Sequence, residues 1–298
     1  MSEPAARAAA IVVNYNTGAY LLRCVRGLTE DGVGEVVVVD NASTDGSIEL
    51  LEEAGLPVRV IRSGDNRGYG GGANIGINAT ESELVLVANA DLEVKPGGVA
   101  RLVVALDTEP ELGIVGPRIT APDGALYPSA RTFPNLADSI GHAFLGIIAP
   151  GNRWSRRYKM LDWDHGTAAR VDWVSGACFV ARREVIEKLG GFDEDYFMYG
   201  EDVDLCWRAR QAAWEVGYEP RAEVVHVQGV SADRHPYRMI AEHHRSLLRF
   251  ADRTTVGWRR TLLPVVAVGL VLRTVMAWAQ RAVATRPSVR ARARGTPA

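Results

Sequence analysis

Four continuous apolar runs mark the first hundred residues, and a helical spacing of apolar positions follows the first three. The runs are AAIVVNY at 9–15, EVVVVD at 35–40, VRVI at 58–61 and ELVLVANAD at 83–91. Strands that are apolar throughout and alternate with helices are typical of a parallel sheet covered on both faces. The pattern therefore predicts a β-α-β-α-β domain of the nucleotide-binding type, in which ligands bind at the carboxyl ends of the strands.

The pattern changes near residue 110. From about 110 to 170, proline and glycine interrupt the apolar runs, which predicts a loop-rich, mobile region suited to a second substrate. Regular structure is predicted again further on: a strand at Cys178–Ala181, a helix at Glu184–Leu189 ended by Gly190, a helix from about Glu201 to Ala213, and a last strand in EVVHVQG at 223–229.

Composition excludes a disordered chain, because 47% of the 298 residues are hydrophobic and 23% are charged. The net charge of -2 hides a strong asymmetry. After Asp252 there are nine Arg and no Asp, Glu or Lys, so a tail of +9 follows a body with 25 basic and 36 acidic residues. We therefore expect an acidic body at 1–252 and a basic extension at 253–298. The three cysteines are scattered, which favours a reducing compartment.

The basic extension contains an apolar run at 262–272 that Arg273 interrupts. Spanning a bilayer takes about 20 apolar residues, so a helix lying on an anionic membrane surface is favoured over a span from Thr261 to Gln280. A helix packed on the body, or a homodimer contact, is the alternative. Nucleic acid is disfavoured as a partner, because the arginines alternate with apolar residues.

Polar residues follow the first two predicted strands: Asn14 and Tyr15 after one, Asp40 and Asn41 after the other. A carboxylate at a strand end can accept a hydrogen bond from the imide of uracil or thymine, and a tyrosine can stack on the base. Asn and Asp also begin turns and cap helices, which is the alternative for these residues.

The glycine-rich segment GDNRGYGGGANIG at 64–76 contains a GxGxxA match at Gly68, Gly70 and Ala73. This fingerprint admits a nicotinamide oxidoreductase as an alternative, but it follows the third strand rather than the first. A glycine-rich turn beside Arg67 would equally let backbone amides approach a diphosphate.

Carboxylates suggest a metal and a base. Asn89-Ala90-Asp91 follows an apolar strand. One carboxylate there, beside a diphosphate, would suit Mg²⁺ or Mn²⁺. A turn that caps the next helix explains the same three residues equally well. His226 lies in a strand-like run and would join the metal only if the fold brings it to Asp91. Six acids crowd an aromatic segment, and Glu201 and Asp202 begin a predicted helix whose dipole would keep a base ionised. The six are Asp193, Glu194, Asp195, Glu201, Asp202 and Asp204.

These motifs occur in an order that resembles the inverting family-2 glycosyltransferases of the GT-A fold, over roughly residues 9 to 250. The segment GFDEDYFMYGEDVDLCWR at 191–208 is the most specific part. The resemblance implies an α/β Rossmann-like mixed sheet flanked by helices. It also implies roles for several residues: nucleotide binding by Asn14, Tyr15, Asp40, Asn41, Arg67, Gly68 and Asn89; a metal on Asp91 and His226; catalysis by Asp202 with Glu201 beside it; and acceptor binding by Trp173, Gly176, Ala177 and Tyr199.

The match looks most like the rhamnosyltransferase branch. Its actinobacterial members transfer L-rhamnose from dTDP-L-rhamnose to a polyprenyl-diphosphate-linked GlcNAc, making the cell-wall linker between peptidoglycan and galactan. The resemblance thus implies Mg²⁺ or Mn²⁺ as cofactor and the cytoplasmic face of the plasma membrane as location, with peripheral or monotopic attachment. Another dTDP-, UDP- or GDP-sugar transferase is an alternative, as is a binding protein without activity on the same fold.

Overall fold

The computed structural model describes residues 4–133, 156, 160, 162–227, 229–230 and 235–284. In this part of the chain, one mixed sheet has the strand order β3-β2-β1-β4-β11-β6-β12-β5, with β7 beside β6 and β9 beside β12, while β8 and β10 pair separately. The strands are β1 Ala8–Asn14, β2 Glu35–Asp40, β3 Arg59–Arg62, β4 Leu84–Asn89, β5 Leu92–Val94, β6 Leu112–Thr120, β7 Leu126–Tyr127, β8 Ala130–Arg131, β9 Ala169–Val171, β10 Trp173–Val174, β11 Cys178–Arg182 and β12 Glu215–His226.

Helices cover both faces of this sheet. They are α1 Ala19–Glu30, α2 Ser47–Glu53, α3 Gly68–Asn78, α4 Gly98–Thr108, α5 Arg183–Leu189, α6 Glu201–Gln211, α7 Pro236–Thr254 and α8 Leu263–Ala284. Strand β1 shows why the apolar runs have no polar alternation. Ala8, Ala10 and Val12 face one core, whereas Ile11 and Val13 face the other, so every position is buried. The predicted α/β sheet flanked by helices is confirmed.

The first half of the sheet is parallel, as predicted. Strand β1 lies between β2 and β4, with Asn14 beside Asp40 and Val13 beside Asn89. The carboxyl ends of three strands therefore meet at one edge. Strand β11 then enters antiparallel to β4, which makes the sheet mixed.

The prediction of a loop-rich region from about 110 to 170 is wrong for its first part. Residues 112–120 form β6, a long buried strand near the middle of the sheet. Its glycines mark close packing instead of turns, because a Cβ on Gly116 would lie 2.7 Å from Val174 Cβ. Most of residues 134–161 lies outside the described residues.

The glycine-rich segment is a short loop at 64–67 followed by α3, so most of its glycines lie in the helix. Its glycines let α3 approach β1, since a Cβ on Gly72 would lie 2.9 Å from Val13 Cγ1 and one on Gly76 only 2.3 Å from Ile11 Cγ2. Gly68 has φ +75°, and a Cβ there would lie 2.2 Å from the Phe197 carbonyl oxygen. Close packing explains the GxGxxA match without a dinucleotide.

Helices α7 and α8 pack against each other beyond the sheet. Residue 252 lies inside α7, and Arg253 forms ion pairs with Asp193 and with Asp204, so that arginine belongs to the body of the fold. By length and composition, residues 257–282 form one helical stretch apolar enough to cross a membrane. Four tail arginines lie outside the described residues: Arg286, Arg290, Arg292 and Arg294.

Candidate active site

The edge where β1, β2 and β4 end holds the residues predicted to bind a nucleotide. Asn14 is fully buried, and its amide nitrogen lies 3.0 Å from Asp40 Oδ1, from Ser43 Oγ and from Ser47 Oγ. Its amide oxygen accepts a hydrogen bond from Thr17. Asn14 is thus enclosed in the protein, where it holds the loops that follow β1 and β2, and its role in nucleotide binding stays a prediction.

Other residues of this group lie around the same edge. Tyr15 is partly exposed, and Asp40 is 5% exposed with its carboxylate accepting from Asn14 and from the Ser43 backbone N–H. Asn41 donates to the Gly68 carbonyl oxygen at 2.8 Å, which ties β2 to the start of α3. Arg67 is exposed and pairs with Asp65.

Asp91 and His226 meet, as the metal hypothesis required. Strand β12 runs antiparallel to β5 and sets His226 opposite Leu92, so that Asp91 Oδ1 lies 3.0 Å from His226 Nε2. The Asn89 amide nitrogen lies 3.2 Å from the same imidazole nitrogen. Both Asp91 and His226 are 8% exposed. Asn89 at the end of β4, Asp91 just after it and His226 at the end of β12 therefore form one polar group.

A carboxylate oxygen and an imidazole nitrogen this close suit Mn²⁺, whereas Mg²⁺ prefers oxygen ligands alone. In the part of the chain that the structure describes, no group of three or more His, Cys, Asp or Glu converges as a metal site. The pair thus fits a divalent cation whose remaining ligands come from diphosphate oxygens and water.

A cleft of about 320 Å³ opens beside this pair. It is lined by eight residues that the sequence pointed to: Asn89, Trp173, Gly176, Ala177, Tyr199, Glu201, Asp202 and His226. They come from β4, β10, the turn after it, the loop before α6, α6 and β12, and Asn89 and His226 are 137 residues apart along the chain. The fold therefore joins the predicted base, metal pair and acceptor segment into one site.

Asp202 is held at the start of α6 by backbone donors. Its Oδ2 accepts from the Gly176 N–H at 2.8 Å, and its Oδ1 accepts from the Val203 N–H at 2.8 Å. A Cβ on Gly176 would lie 3.0 Å from the Asp202 Cβ, so a side chain at this position would crowd the approach. The same turn reaches β4, because the Asn89 N–H donates to the Ala177 carbonyl oxygen. Base and metal strand are therefore linked through one turn.

Burial raises the pKa of Asp202, and hydrogen bonds from Gly176 and Val203 and the charge of Arg131 offset this only in part. Burial thus opposes the effect of the helix dipole, which the sequence predicts to favour the charged form of this carboxylate. Glu201 is 5% exposed, and burial together with the neighbouring Asp202 charge raises its pKa still further above the usual range. Two neighbouring carboxyls with raised pKa values thus lie at the cleft, and Asp202 has more backbone donors that favour its charged form than Glu201 has.

The family model for Glycosyl transferase family 2 matches residues 9–190. The chain belongs to glycosyl transferase family 2. It is similar to N-acetylglucosaminyl-diphospho-decaprenol L-rhamnosyltransferase of Mycobacterium tuberculosis, with 38% identity over 278 residues that cover 88% of this chain and 90% of the relative.

Two solved structures share the fold of this family 2 transferase. The mannosyltransferase PcManGT from Pyrobaculum calidifontis, in complex with GDP-Man and Mn²⁺, superposes with a TM-score of 0.55 at 18% identity, over 94% of this chain and 76% of that one. GalNAc-T7 with UDP, GalNAc and Mn²⁺ superposes with a TM-score of 0.55 at 18% identity, over 74% of this chain and 42% of that one. The α/β fold of the GT-A type is thus confirmed.

The six acids of the transferase near 193–204 do not form one functional cluster, as the sequence had suggested. Asp193 and Asp195 pair with Arg249 of α7, and the fully buried Asp204 pairs with Arg208 and Arg253. Glu194 accepts from Asn74. Only Glu201 and Asp202 line the cleft, so four of the six acids hold α3 and α7 in place.

Four further residues line the transferase site, and none of them had been assigned a specific role from the sequence. Tyr69, from the glycine-rich helix, donates its hydroxyl to the Gly176 carbonyl oxygen at 2.6 Å. Arg131 stacks over Trp173 with its guanidinium carbon 5.0 Å from the ring centroid, and Tyr127 and His243 complete the wall. Isolated tyrosines and arginines are common at any surface, so only their spatial neighbours identify them.

Two adjacent histidines of α7, His243 and His244, have different surroundings. His244 of the transferase is 6% exposed between α7 and α8, and burial together with the charge of Arg273 lowers its pKa to about 4. Its neighbour His243 does line the cleft, with its ring centroid 5.4 Å from that of Tyr199.

Proposed function

We propose that this transferase moves L-rhamnose from dTDP-L-rhamnose to GlcNAc carried on a polyprenyl diphosphate, with inversion at the anomeric carbon. The observation that carries the proposal is the 38% identity to the mycobacterial decaprenol-linked GlcNAc rhamnosyltransferase over nearly the whole of both chains. The cleft supports it, because Asp202, an aromatic wall and His226 line it, and Asp91 contacts His226 behind.

Asp202 is the general base of the proposed reaction. It removes the proton from the acceptor hydroxyl as that oxygen bonds to the anomeric carbon, while the bond between this carbon and the dTDP oxygen breaks. The raised pKa makes Asp202 a stronger base than an exposed aspartate. Tyr15, Asp40 and Asn41 would contact the base and ribose of the donor at the adjoining edge, with Arg67 and Gly68 toward its phosphates.

Asp91 and His226 would hold the divalent cation, and Asn89 lies beside them. When bound, Mg²⁺ or Mn²⁺ supplies positive charge that stabilises the departing diphosphate. Trp173, Gly176, Ala177 and Tyr199 form the wall against which the acceptor sugar would pack.

Transfer of labelled sugar tests the proposed function. We expect incorporation from dTDP-L-rhamnose into a GlcNAc-diphosphoryl lipid, and little from UDP- or GDP-sugars. Faster transfer from a UDP- or GDP-sugar would assign another donor to the same fold. Thermal stabilisation by NADH but not by dTDP would instead favour an oxidoreductase, and binding of dTDP without any transfer would indicate a protein without catalytic activity.

Asp91→Asn is expected to weaken binding of dTDP in the presence of Mn²⁺, because the variant loses the only carboxylate in the metal pair. A tenfold weaker complex would lower the ligand-induced rise in Tm by about 3–5 °C. Thermal shift with dTDP and Mn²⁺ measures this, and EDTA should erase the difference between variant and wild type. Glu93→Gln is the matched control, since this side chain on β5 is 61% exposed. Equal Tm shifts in the two variants would contradict the metal role of Asp91.

We further propose that α8 attaches the enzyme to the cytoplasmic face of the plasma membrane as a peripheral or monotopic helix. One side of α8 packs on α7, whereas Val268 and Val271 are about 60% exposed on the opposite side. On the side of α8 that packs against α7, Arg273 donates a hydrogen bond to His244 of α7. A helix with one side committed to the protein and the other apolar suits the membrane surface.

Val271→Asp is expected to reduce binding to phosphatidylglycerol vesicles about tenfold or more, because it places a negative charge on the apolar face. Co-sedimentation with vesicles measures the change. Val104→Asp is the control, since Val104 is also exposed but lies on α4 in the catalytic body. If both variants bound vesicles equally well, and only Val271→Asp converted a dimer to a monomer, the exposed face of α8 would instead be a homodimer contact.

A further inference from the structure

A second cleft, of about 400 Å³, lies between α7 and α8. Met239, Ile240 and Ala277 give it an apolar side. Arg273, Gln280 and Arg281 give it a side rich in hydrogen-bond donors, with two positive charges. This cationic cleft takes no part in the chemistry assigned to Asp202, although it lies in the same region of the molecule.

The cationic cleft adjoins the catalytic cleft directly. Tyr199 and His243 line both cavities, and their rings meet edge to face with centroids 5.4 Å apart. Tyr199 has φ +67°, a conformation that non-glycine residues seldom adopt, and it lies two residues before the start of α6. A ligand in the catalytic cleft would therefore reach the cationic cleft by passing this tyrosine–histidine pair.

The orientation of Arg273 is fixed by a chain of hydrogen bonds. Its Nε–H donates to His244 Nε2 at 3.2 Å, so the other imidazole nitrogen carries the proton and lies 2.8 Å from Thr274 Oγ1. The Thr274 hydroxyl donates in turn to the Leu270 carbonyl oxygen. A neutral, buried His244 thus holds the Arg273 guanidinium at the cleft. Such preorganisation lowers the entropic cost of binding an anion.

The lipid-facing side of α8 begins on the far side of the same helix. Val268, Val271, Leu272 and Val275 are each more than half exposed there. Three environments therefore follow one another: the carboxylate at Asp202, the cationic cleft, and an apolar surface. A sugar attached through a diphosphate to a long hydrocarbon has the same three parts in the same order.

We propose that the cationic cleft binds the diphosphate of the lipid-linked acceptor, with Arg273 and Arg281 as its ligands. This inference rests on the proposed function, because it assigns a part of that acceptor to a defined site. Guanidinium groups bind phosphate oxygens through paired, charge-assisted hydrogen bonds, which makes arginine suited to a diphosphate. The sugar would then extend past Tyr199 and His243 toward Asp202, and the hydrocarbon would leave along α8 toward the membrane.

The test uses the full-length protein and decyl diphosphate, a probe without a sugar, in the presence of saturating dTDP and Mn²⁺ to block the donor site. We expect Arg281→Gln to weaken calorimetric binding of this probe about tenfold or more. Arg273→Lys, which keeps the charge but loses the donor to His244, should weaken it as well. Arg245→Gln is the matched control, because Arg245 is exposed on α7 and lines neither cleft.

Kinetics provide the second measurement. For a water-soluble GlcNAc-diphosphoryl alkyl acceptor, Arg281→Gln should raise KM about tenfold and leave kcat nearly unchanged. For the alkyl glycoside of GlcNAc without the diphosphate, KM should not change. Arg245→Gln should leave KM unchanged for both acceptors.

Several results would overturn the proposal. Equal probe affinity in Arg281→Gln and Arg245→Gln would do so, and so would competition by dihexanoyl phosphatidylglycerol as strong as that of decyl diphosphate, which would assign the cleft to bulk lipid. If no rhamnose were transferred but probe binding still depended on Arg281, the proposed substrate would be wrong, whereas the assignment of the cleft as a diphosphate site would be supported. Normal transfer with probe binding indifferent to Arg281 would contradict the cleft alone.

Discussion

Asp202→Asn is expected to lower kcat by about 10²–10⁴, the usual contribution of a general base. The amide has the shape of the carboxylate but cannot accept the acceptor proton. The amide oxygen can still accept the Gly176 N–H, whereas the bond from the Val203 N–H is lost, because the NH2 group cannot accept it. Steady-state transfer measures kcat, and an unchanged thermal shift with dTDP checks that donor binding is intact. Near-normal turnover would exclude Asp202 as the base.

Glu201→Gln is the comparison that separates the two adjacent carboxyls. Burial and the Asp202 charge raise the pKa of Glu201 well above its usual range, which favours the neutral carboxyl that glutamine resembles. We expect a loss of less than about tenfold, well below that of Asp202→Asn. A larger loss from Glu201→Gln than from Asp202→Asn would reverse the two roles.

The pH profile gives an independent check on the base. Asp202 must be deprotonated to act, and its pKa in the protein is raised, so kcat/KM should fall as the pH drops through that raised value. The acid limb should thus lie above the ordinary aspartate value of about 3.9. Circular dichroism over the same range excludes unfolding as the cause. An acid limb at or below about 3.9 would contradict the assignment.

Asp204→Asn is expected to destabilise the fold by about 3–5 kcal/mol, the largest effect on stability among these variants. Asp204 is fully buried and accepts from Arg208 Nε at 2.6 Å, and it also binds Arg253 of α7. Removing its charge leaves the largely buried Arg208 without its counterion. Chemical denaturation followed by circular dichroism gives the change in the free energy of unfolding.

Asp195→Asn is the matched control for Asp204. Asp195 belongs to the same acidic segment and also pairs with an arginine of α7, but its side chain is 71% exposed. Water screens such a pair, so the loss should stay below about 1 kcal/mol. Equal destabilisation by the two substitutions would show that burial of Asp204 is not the source of its effect.

The strands of the parallel half could be predicted because a strand buried on both faces has apolar residues at nearly every position. Every residue of β1 is buried, so its apolar run is continuous. Strand β6 is buried as well, but Gly113, Gly116 and Pro117 interrupt its run, and the same residues are typical of turns. The distinction depends on Trp214 and Val174, which pack where Cβ atoms on the two glycines would lie and come from distant parts of the chain.

By itself, the sequence determined the α/β class, the ends of strands β1, β2 and β4, and the candidates for base and metal. These are local properties, since periodicity and strand ends depend on near neighbours. Only the tertiary structure decided which acids act together. Asp202 and Asp204 are two residues apart on α6, yet one opens into the cleft and the other is buried against Arg208 and Arg253. Successive positions on a helix face different surroundings, and those surroundings are built from residues far away in the chain.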